Sequence, residues 1–158
     1  MVFSIAYHYL RDRSAAEEVA QDVFLQLHRR FDDFKPGPDR DRHLVHWLRK
    51  VASHRSIDAT RKRRTQPATG LGVALDDAPP PSVAGEPKDF LLQQRLETLI
   101  GSLPEKPRMV MVLRYQEDLM PEEIASLLDM PVRTVKSHLQ RSLAMLREKI
   151  GRSMGEIR

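Results

Sequence analysis

The sequence predicts an all-α protein built as two small helical domains joined by a flexible linker. Three observations lead there. Apolar residues recur at helical spacing on both sides of the midpoint of the chain. Between them Thr65–Pro87, TQPATGLGVALDDAPPPSVAGEP, has neither helical nor strand period and is rich in Pro, Gly, Ala and Asp. No segment alternates as a half-buried strand does. The break sets a first domain over 1–64, a linker over 65–87 and a second domain over 88–158. Each domain is near the lower limit of length for a lone hydrophobic core.

The elements follow in order. A short helix covers about 2–10. Ser14-Ala15-Ala16-Glu17 is a capping-box pattern, with Ser14 at the cap and Glu17 able to return to its backbone N–H. Behind it Ala16, Val19, Ala20, Val23, Phe24, Leu27 and Phe31 keep one apolar stripe, and the opposite side carries Glu18, Gln21, Asp22 and Leu25. A further helix runs from about Asp41 to Lys62, with Leu44, Trp47, Leu48 and Val51 inward. An inward tryptophan is more often core than a stacking platform, so Trp47 is read as core. Past the linker, Phe90–Ile100 forms a helix whose apolar side holds Leu92, Leu96, Leu99 and Ile100. Pro104 and Pro107 mark the next start, since proline suits a first helical turn. Met109–Tyr115 continues that helix with Val110, Leu113 and Val112 inward. Two more helices follow, about Pro121–Leu128 and Arg133–Ile150.

Composition removes several classes of function. The chain has 158 residues and no cysteine, which excludes disulfides, thiolate zinc sites and cysteine nucleophiles. No apolar run is long enough for a membrane span, and Met1-Val2-Phe3-Ser4 lacks the layout of a signal peptide, so a cytoplasmic setting fits. Gly70-Leu71-Gly72 is no dinucleotide fingerprint, because no strand precedes it and no helix follows. There is no phosphate-binding glycine loop, no HExxH and no nucleophile elbow. His43 and His46 sit three apart on a helix without a further ligand and read as surface histidines. No catalytic residue, metal or cofactor is expected, and the chain is not read as an enzyme.

Charge points elsewhere. The net +4 conceals two cationic blocks. Residues 35–65 hold ten cations against three acids, and residues 133–158 hold seven against two. Residues 1–34, 66–102 and 103–132 are each net acidic. Two separated basic blocks suit two contacts with a polyanion.

The second block belongs to a helix-turn-helix. In Pro121–Leu139, Ile124, Ala125 and Leu128 make the apolar face of the first helix, and Ala125 is small enough for a close crossing. Asp129 occupies the turn, where a left-handed residue is needed and Asp is tolerated. Val132, Val135 and Leu139 anchor the second helix. Arg133, Thr134, Lys136, Ser137, Gln140 and Arg141 then face outward, a set suited to base edges and phosphates in a major groove.

Five motifs in order resemble the extracytoplasmic-function (group 4) sigma factors of the sigma-70 family, which consist of regions 2 and 4 only. Ala16-Glu17-Glu18-Val19-Ala20-Gln21-Asp22-Val23-Phe24-Leu25-Gln26-Leu27 resembles the region 2 helix that docks on RNA polymerase. Trp47-Leu48-Arg49-Lys50-Val51-Ala52 with Ile57-Asp58 and Arg61-Lys62-Arg63-Arg64 resembles the promoter-melting part of region 2. Leu103-Pro104, Arg108, Leu113-Arg114-Tyr115, Glu123-Ile124-Ala125 and Thr134-Val135-Lys136-Ser137 are similar to region 4.

The resemblance implies roles. Glu18, Gln21, Asp22 and Leu25 would meet the clamp helices of the largest polymerase subunit, and region 4 would meet the flap. The loop at Lys35-Pro36-Gly37, with Lys50, His54, Arg55, Arg61 and Arg63, would contact the −10 element. Melting gives up about 1.4 kcal/mol of stacking per step, which contacts to the separated strand must offset. Arg133, Thr134, Lys136, Ser137, His138, Gln140 and Arg141 would read the −35 element. The two elements lie roughly 85 Å apart on B-DNA. A 23-residue linker has an r.m.s. span of about 26 Å and a limit of about 75 Å, enough if polymerase holds the domains apart. An anti-sigma factor is a further partner by family habit.

Departures from the family pattern are also visible. The family has further residues before the first helix, so the chain looks short there. His54 stands where Asn is common, Met120 replaces a Ser or Thr cap, and Asp129 replaces a turn glycine. His138 and Ser142 replace frequent Arg and Ala. The rival reading is a free-standing dimeric helix-turn-helix regulator, which explains the second half but neither the Gln21-Asp22 stripe nor the Arg49–Arg64 block.

Overall fold

A computed structural model of the chain describes residues 1–66 and 87–155, and every regular element among them is helical. The order is α1 (Val2–Leu10), α2 (Arg13–Arg30), a 3₁₀ turn (Phe31–Asp33), α3 (Arg40–Thr65), α4 (Pro87–Gly101), α5 (Glu105–Tyr115), α6 (Pro121–Leu128) and α7 (Val132–Gly155). The linker assigned to 65–87 lies almost wholly outside the described residues.

In the first module α1 buries Val2, Ile5, Ala6 and Tyr9, the spacing of one helical face. Arg11 turns the chain with φ 55°, its N–H bonded to the Tyr7 carbonyl at 2.8 Å. Asp12 is then extended and caps α2, its Oδ1 accepting from the Ala15 N–H at 2.9 Å. This corrects the expected cap. Ser14 already lies inside the helix, and Glu17 pairs with Arg13 at 3.0 Å. Asp12 wins because its other oxygen also accepts from Arg63 at 2.8 Å, tying the start of α2 to the end of α3.

The apolar stripe of α2 is narrower than its sequence suggests. Ala16, Val19 and Val23 are buried, but Phe24 and Phe31 are 53% and 47% exposed. Phe24 stands one helical step round from Val23 and lines an open hollow with Phe3 and Leu25. The Phe31 ring instead lies under the Arg40 guanidinium, 4.9 Å from its centroid.

α3 extends to both sides of the expected range and buries Leu48, Ala52 and Ile57. Ser53 and Ser56 are buried with them, because their hydroxyls donate back to the carbonyls of Arg49 and Ala52 at 2.8 and 2.7 Å. Trp47 is half-buried and edge-on to Phe34 at 5.6 Å, pinning the loop after the 3₁₀ turn to α3.

In the second module α5 is the central element. Met109, Val110, Met111, Val112 and Leu113 are all buried, because α5 meets α1, α3, α4, α6 and α7. Of these the sequence singles out Val110, Val112 and Leu113. Leu99 and Ile100 of α4 pack with Leu103, Met111 and Leu146, but Leu96 is 41% exposed rather than inward. The Leu92 side chain lies outside the described residues. Arg108 locks the α4–α5 turn by donating to the Leu103 carbonyl at 3.2 and 2.9 Å. At α6, Glu123 supplies the cap that Met120 lacks by accepting from the Met120 N–H at 2.8 Å.

The two modules share their core. α1 packs on α5 and α3 on α6, so that Ile5, Tyr9 and Ala52 belong to one continuous apolar cluster with Val110, Leu113 and Ile124. The Arg108 guanidinium sits 5.2 Å from the centre of the Tyr9 ring across the boundary. Each fully buried Ile or Leu contributes about 1.5–3 kcal/mol, and two modules too small for ample cores gain by pooling them.

Candidate functional site

Four surfaces carry the residues selected from the sequence. On α2, Glu18, Gln21, Asp22 and Leu25 are all exposed on one helical face, with Leu25 55% exposed. Phe24 extends the apolar part, which the sequence reading had turned inward. The acidic edge adjoins cations from α3: Glu18, Gln21 and Asp22 line one hollow with Arg55, Lys62 and Arg63. An exposed acidic rim beside Leu25 and Phe24 suits a basic, partly apolar protein surface.

The cations of α3 do not form one set. Arg55 meets the side-chain amide of Gln26 on α2. Arg63 is held by Asp12. Lys50, His54 and Arg61 lie on a different face, four and seven residues apart in succession. That face is turned to the second module. Lys50 Nζ lies 2.9 Å from Asp129 Oδ1, and Arg61 Nε lies 3.0 Å from Glu105 Oε2, which Arg64 shares at 3.1 Å. His54 Nε2 donates to the Leu127 carbonyl at 3.0 Å, which requires the tautomer with hydrogen on Nε2. Asp129 is also 3.6 Å from His54. Hydrogen bonding to Lys50 is the main influence holding the Asp129 carboxyl below the usual range, with the Lys50, His54 and His46 charges adding to it.

Lys35 is exposed in the loop after the 3₁₀ turn, where a small hollow is lined by Asp33, Phe34, Lys35, Gly37, Arg40 and His43. That hollow does not include Lys50, His54 or Arg55.

The fourth surface is the helix-turn-helix. Asp129 takes φ 52°, the left-handed turn expected of it, and the Met130 N–H closes on the Ala125 carbonyl at 3.1 Å. Val135 is buried, and Leu139 packs against both apolar clusters. Arg133, Thr134, Ser137, His138 and Arg141 line one shallow surface, while Lys136 and Gln140 are exposed on the same helix. Lys136 approaches Glu122 at 3.5 Å. Burial lowers the pKa of His138, and Arg141 and Lys106 reinforce it. The helix therefore presents Arg133 and Arg141 beside a neutral imidazole, an arrangement able to hold phosphates and hydrogen-bond base edges.

Among the described residues, no group of three or more His, Cys, Asp or Glu side chains is arranged to hold a metal, and no helix is long and apolar enough to cross a membrane. Sequence reasoning missed Glu105, Glu117, Asp129 and the Leu127 carbonyl as partners of α3. The acidic balance of residues 103–132, set against the basic block at 35–65, was the signal available.

The family model for sigma-70 region 2 matches residues 1–66, and the one for sigma-70 region 4 matches residues 93–146. The ECF RNA polymerase sigma factor RpoE of Cereibacter sphaeroides is 30% identical, over 85% of this chain and 72% of its own length. The chain belongs to the sigma-70 family as an ECF sigma factor. The ECF sigma factor SigW of Bacillus subtilis is 28% identical over 94% of this chain and 82% of its own length. Among solved structures, RpoE in complex with the anti-sigma factor NepR from Bartonella quintana matches with a TM-score of 0.70. That match is 19% identical over 95% of this chain and 89% of the other, and it establishes the fold. The first module is thus region 2 and the second region 4.

Proposed function

We propose that this sigma factor docks on core RNA polymerase through Glu18, Gln21, Asp22 and Leu25 and directs initiation at promoters with −10 and −35 elements. The exposed acidic and apolar face of α2, within a segment matched to region 2, is the observation that carries the reading. A clamp-helix surface of opposite charge would engage the carboxylates and cover Leu25 and Phe24. Region 4 would meet the flap.

Lys35, Lys50, His54, Arg55, Arg61 and Arg63 are assigned to the −10 element. Lys50, His54 and Arg61 share one face of α3, and they would grip the phosphates of the opened strand. Arg133, Thr134, Lys136, Ser137, His138, Gln140 and Arg141 are assigned to the −35 element in duplex form. Residues 65–87 are assigned as the tether between the regions. Nucleotide chemistry is left to the core enzyme, so the chain itself acts as a regulatory subunit working where polymerase and chromosome are. The two-region layout supports group 4, and an anti-sigma partner is proposed by analogy with the NepR-bound RpoE. The free-standing regulator is disfavoured, since it gives region 2 no task.

The test is run-off transcription with purified core polymerase on a promoter library, comparing the natural chain with Asp22→Arg. The natural chain should support initiation from a narrow promoter class. Asp22→Arg should lose detectable core binding while keeping its helicity. Equal core affinity for the two proteins would remove the docking assignment.

A further inference from the structure

Glu105, in the first turn of α5, holds two arginines from the end of α3, Arg61 at 3.0 Å and Arg64 at 3.1 Å. The three side chains are not equally placed. That of Glu105 is 16% exposed, whereas those of Arg61 and Arg64 are 56% and 63% exposed. The carboxylate therefore lies beneath the guanidinium groups, fixes their position and leaves the outward side positive, two charges over one. Lys106 follows Glu105 in the chain, is exposed and has no ion-pair partner among the described residues. Helix α5 packs on α7, and Lys106 comes near enough to His138 for its charge to act on that imidazole together with Arg141. Arg64, Arg61, Lys106, His138 and Arg141 thus follow one another from the end of α3, over the start of α5, to the outer face of α7.

We infer that these side chains form one cationic band for duplex DNA that crosses from region 2 to region 4, in which Arg64 and Lys106 hold phosphates beyond those met by the recognition helix. Arg133 and Arg141 are eight residues apart, about 12 Å along α7. With one phosphate per roughly 3.4 Å of axis on each strand, α7 alone meets a short stretch of backbone. The band carries that stretch past the edge of the helix-turn-helix. Phosphate contacts hold no base information, so the band adds affinity and orientation, not sequence choice. Glu105 is the positioning residue, since it sets both guanidinium groups of α3 in line with Lys106. Lys62 marks the limit of the band. Although it neighbours Arg61 in the chain, it lines the hollow with Glu18 and Asp22 on another side of α3. The free chain can therefore hold duplex DNA with arginines of region 2 as well as with region 4. The inference rests on the assignment of α7 to duplex DNA proposed above.

The test is fluorescence anisotropy of the full chain with a labelled DNA duplex of mixed sequence, repeated from about 50 to about 200 mM salt. Arg64→Gln and Lys106→Gln should each flatten the slope of log affinity against log salt by about 0.9, and weaken binding severalfold at the lower salt. Arg141→Gln supplies the reference contact and should flatten it by a similar amount. Lys62→Gln removes the same charge from the adjoining position and should leave the slope of the natural chain. Arg64→Lys keeps the charge and should keep the slope, which separates phosphate contact from any loss of packing seen in circular dichroism melts. If Arg141→Gln flattens the slope while Arg64→Gln and Lys106→Gln do not, the band is overturned and the assignment of α7 stands. An effect of Lys106→Gln without one of Arg64→Gln confines the surface to region 4 and overturns the crossing. Equal flattening by Lys62→Gln overturns the band too, because net charge alone would then explain the binding. A slope untouched by Arg141→Gln removes the assignment of α7 to duplex DNA itself.

Discussion

Two helices of this sigma factor carry comparable positive charge and stand in opposite states. On α3, Lys50, Arg61, Arg63 and Arg64 are each held by a carboxylate, three of them by region 4. On α7, Arg133 and Arg141 have no ion-pair partner among the described residues; Lys136 reaches Glu122 at 3.5 Å, and Arg152 near the far end pairs with Glu148 of the same helix. The difference is one of neighbourhood. The α7 cations project from the outer side of the helix-turn-helix, whereas those of α3 lie along the boundary between modules. A positive balance in a sequence therefore marks a surface able to meet a polyanion, but not whether that surface is vacant.

The largest expected effect tests whether the boundary is a true shared core. Ile5 of α1 and Ile124 of α6 are both fully buried in the continuous cluster. Replacing either by Ala should cost about 2–5 kcal/mol. Because the core is common, Ile5→Ala and Ile124→Ala should each lower the midpoint of one cooperative thermal transition followed by circular dichroism. Two transitions, with each substitution moving only its own, would show that the modules fold independently and would break the comparison at its root.

Next in size is the contrast between the two cationic helices in DNA binding. Arg141→Ala should weaken the polymerase complex at a matched upstream element by about 1–3 kcal/mol if Arg141 reads a base. Uniform weakening on every sequence would make it a phosphate contact instead. Measured by anisotropy on the free chain, Arg141→Ala should still reduce duplex binding, because its surface is open. Lys50→Ala should have little effect there and a clear one only in the polymerase complex.

What the sequence disclosed follows the same division. The helix-turn-helix was legible down to the left-handed Asp129, because its apolar spacing and turn chemistry are local. The exposed face of α2 was legible because Glu18, Gln21, Asp22 and Leu25 recur at helical spacing. Phe24 was misread, since a large apolar residue beside Val23 looks inward until α1 and α3 are seen to cover only the neighbouring strip. The cap of α2 moved from Ser14 to Asp12 because Arg63, fifty-one residues away, stabilises the same carboxylate. The pairings of Glu105 and Asp129 were not legible for the same reason: they depend on how two modules meet, and the sequence between them carries no helical or strand period.

A smaller effect sharpens the account of Asp12. It caps α2 and pairs with Arg63, and the Ala15 N–H above all, with Arg63 in support, holds its carboxyl below the usual aspartate range. A carboxyl depressed on folding adds stability that is complete above its unfolded pKa, near 3.8, and is lost as pH falls through the lower folded value. Asp12→Ala should cost about 0.5–2 kcal/mol at neutral pH. Denaturant titrations should find the cost shrinking in acid as the natural chain loses the same contact. A cost that persists unchanged under acid conditions would assign it to packing.

The smallest effect concerns His138, and it separates the two helices by pH. Burial, with help from Arg141 and Lys106, keeps this imidazole neutral to a lower pH than a free histidine. Bound phosphate would favour the charged form, so the complex should take up a proton that the free protein does not hold. Linkage then requires duplex affinity to rise as pH falls from about 7.5 to about 6, by less than threefold or so if the phosphate is only partly desolvated. The same protonation works against the fold, since a histidine depressed on folding withdraws stability as pH drops below its unfolded value near 6.5. Anisotropy on an upstream duplex across this range should therefore show a shallow slope that His138→Gln removes. A slope that survives the substitution would assign the proton to another group on the DNA face and leave His138 a packing residue of α7.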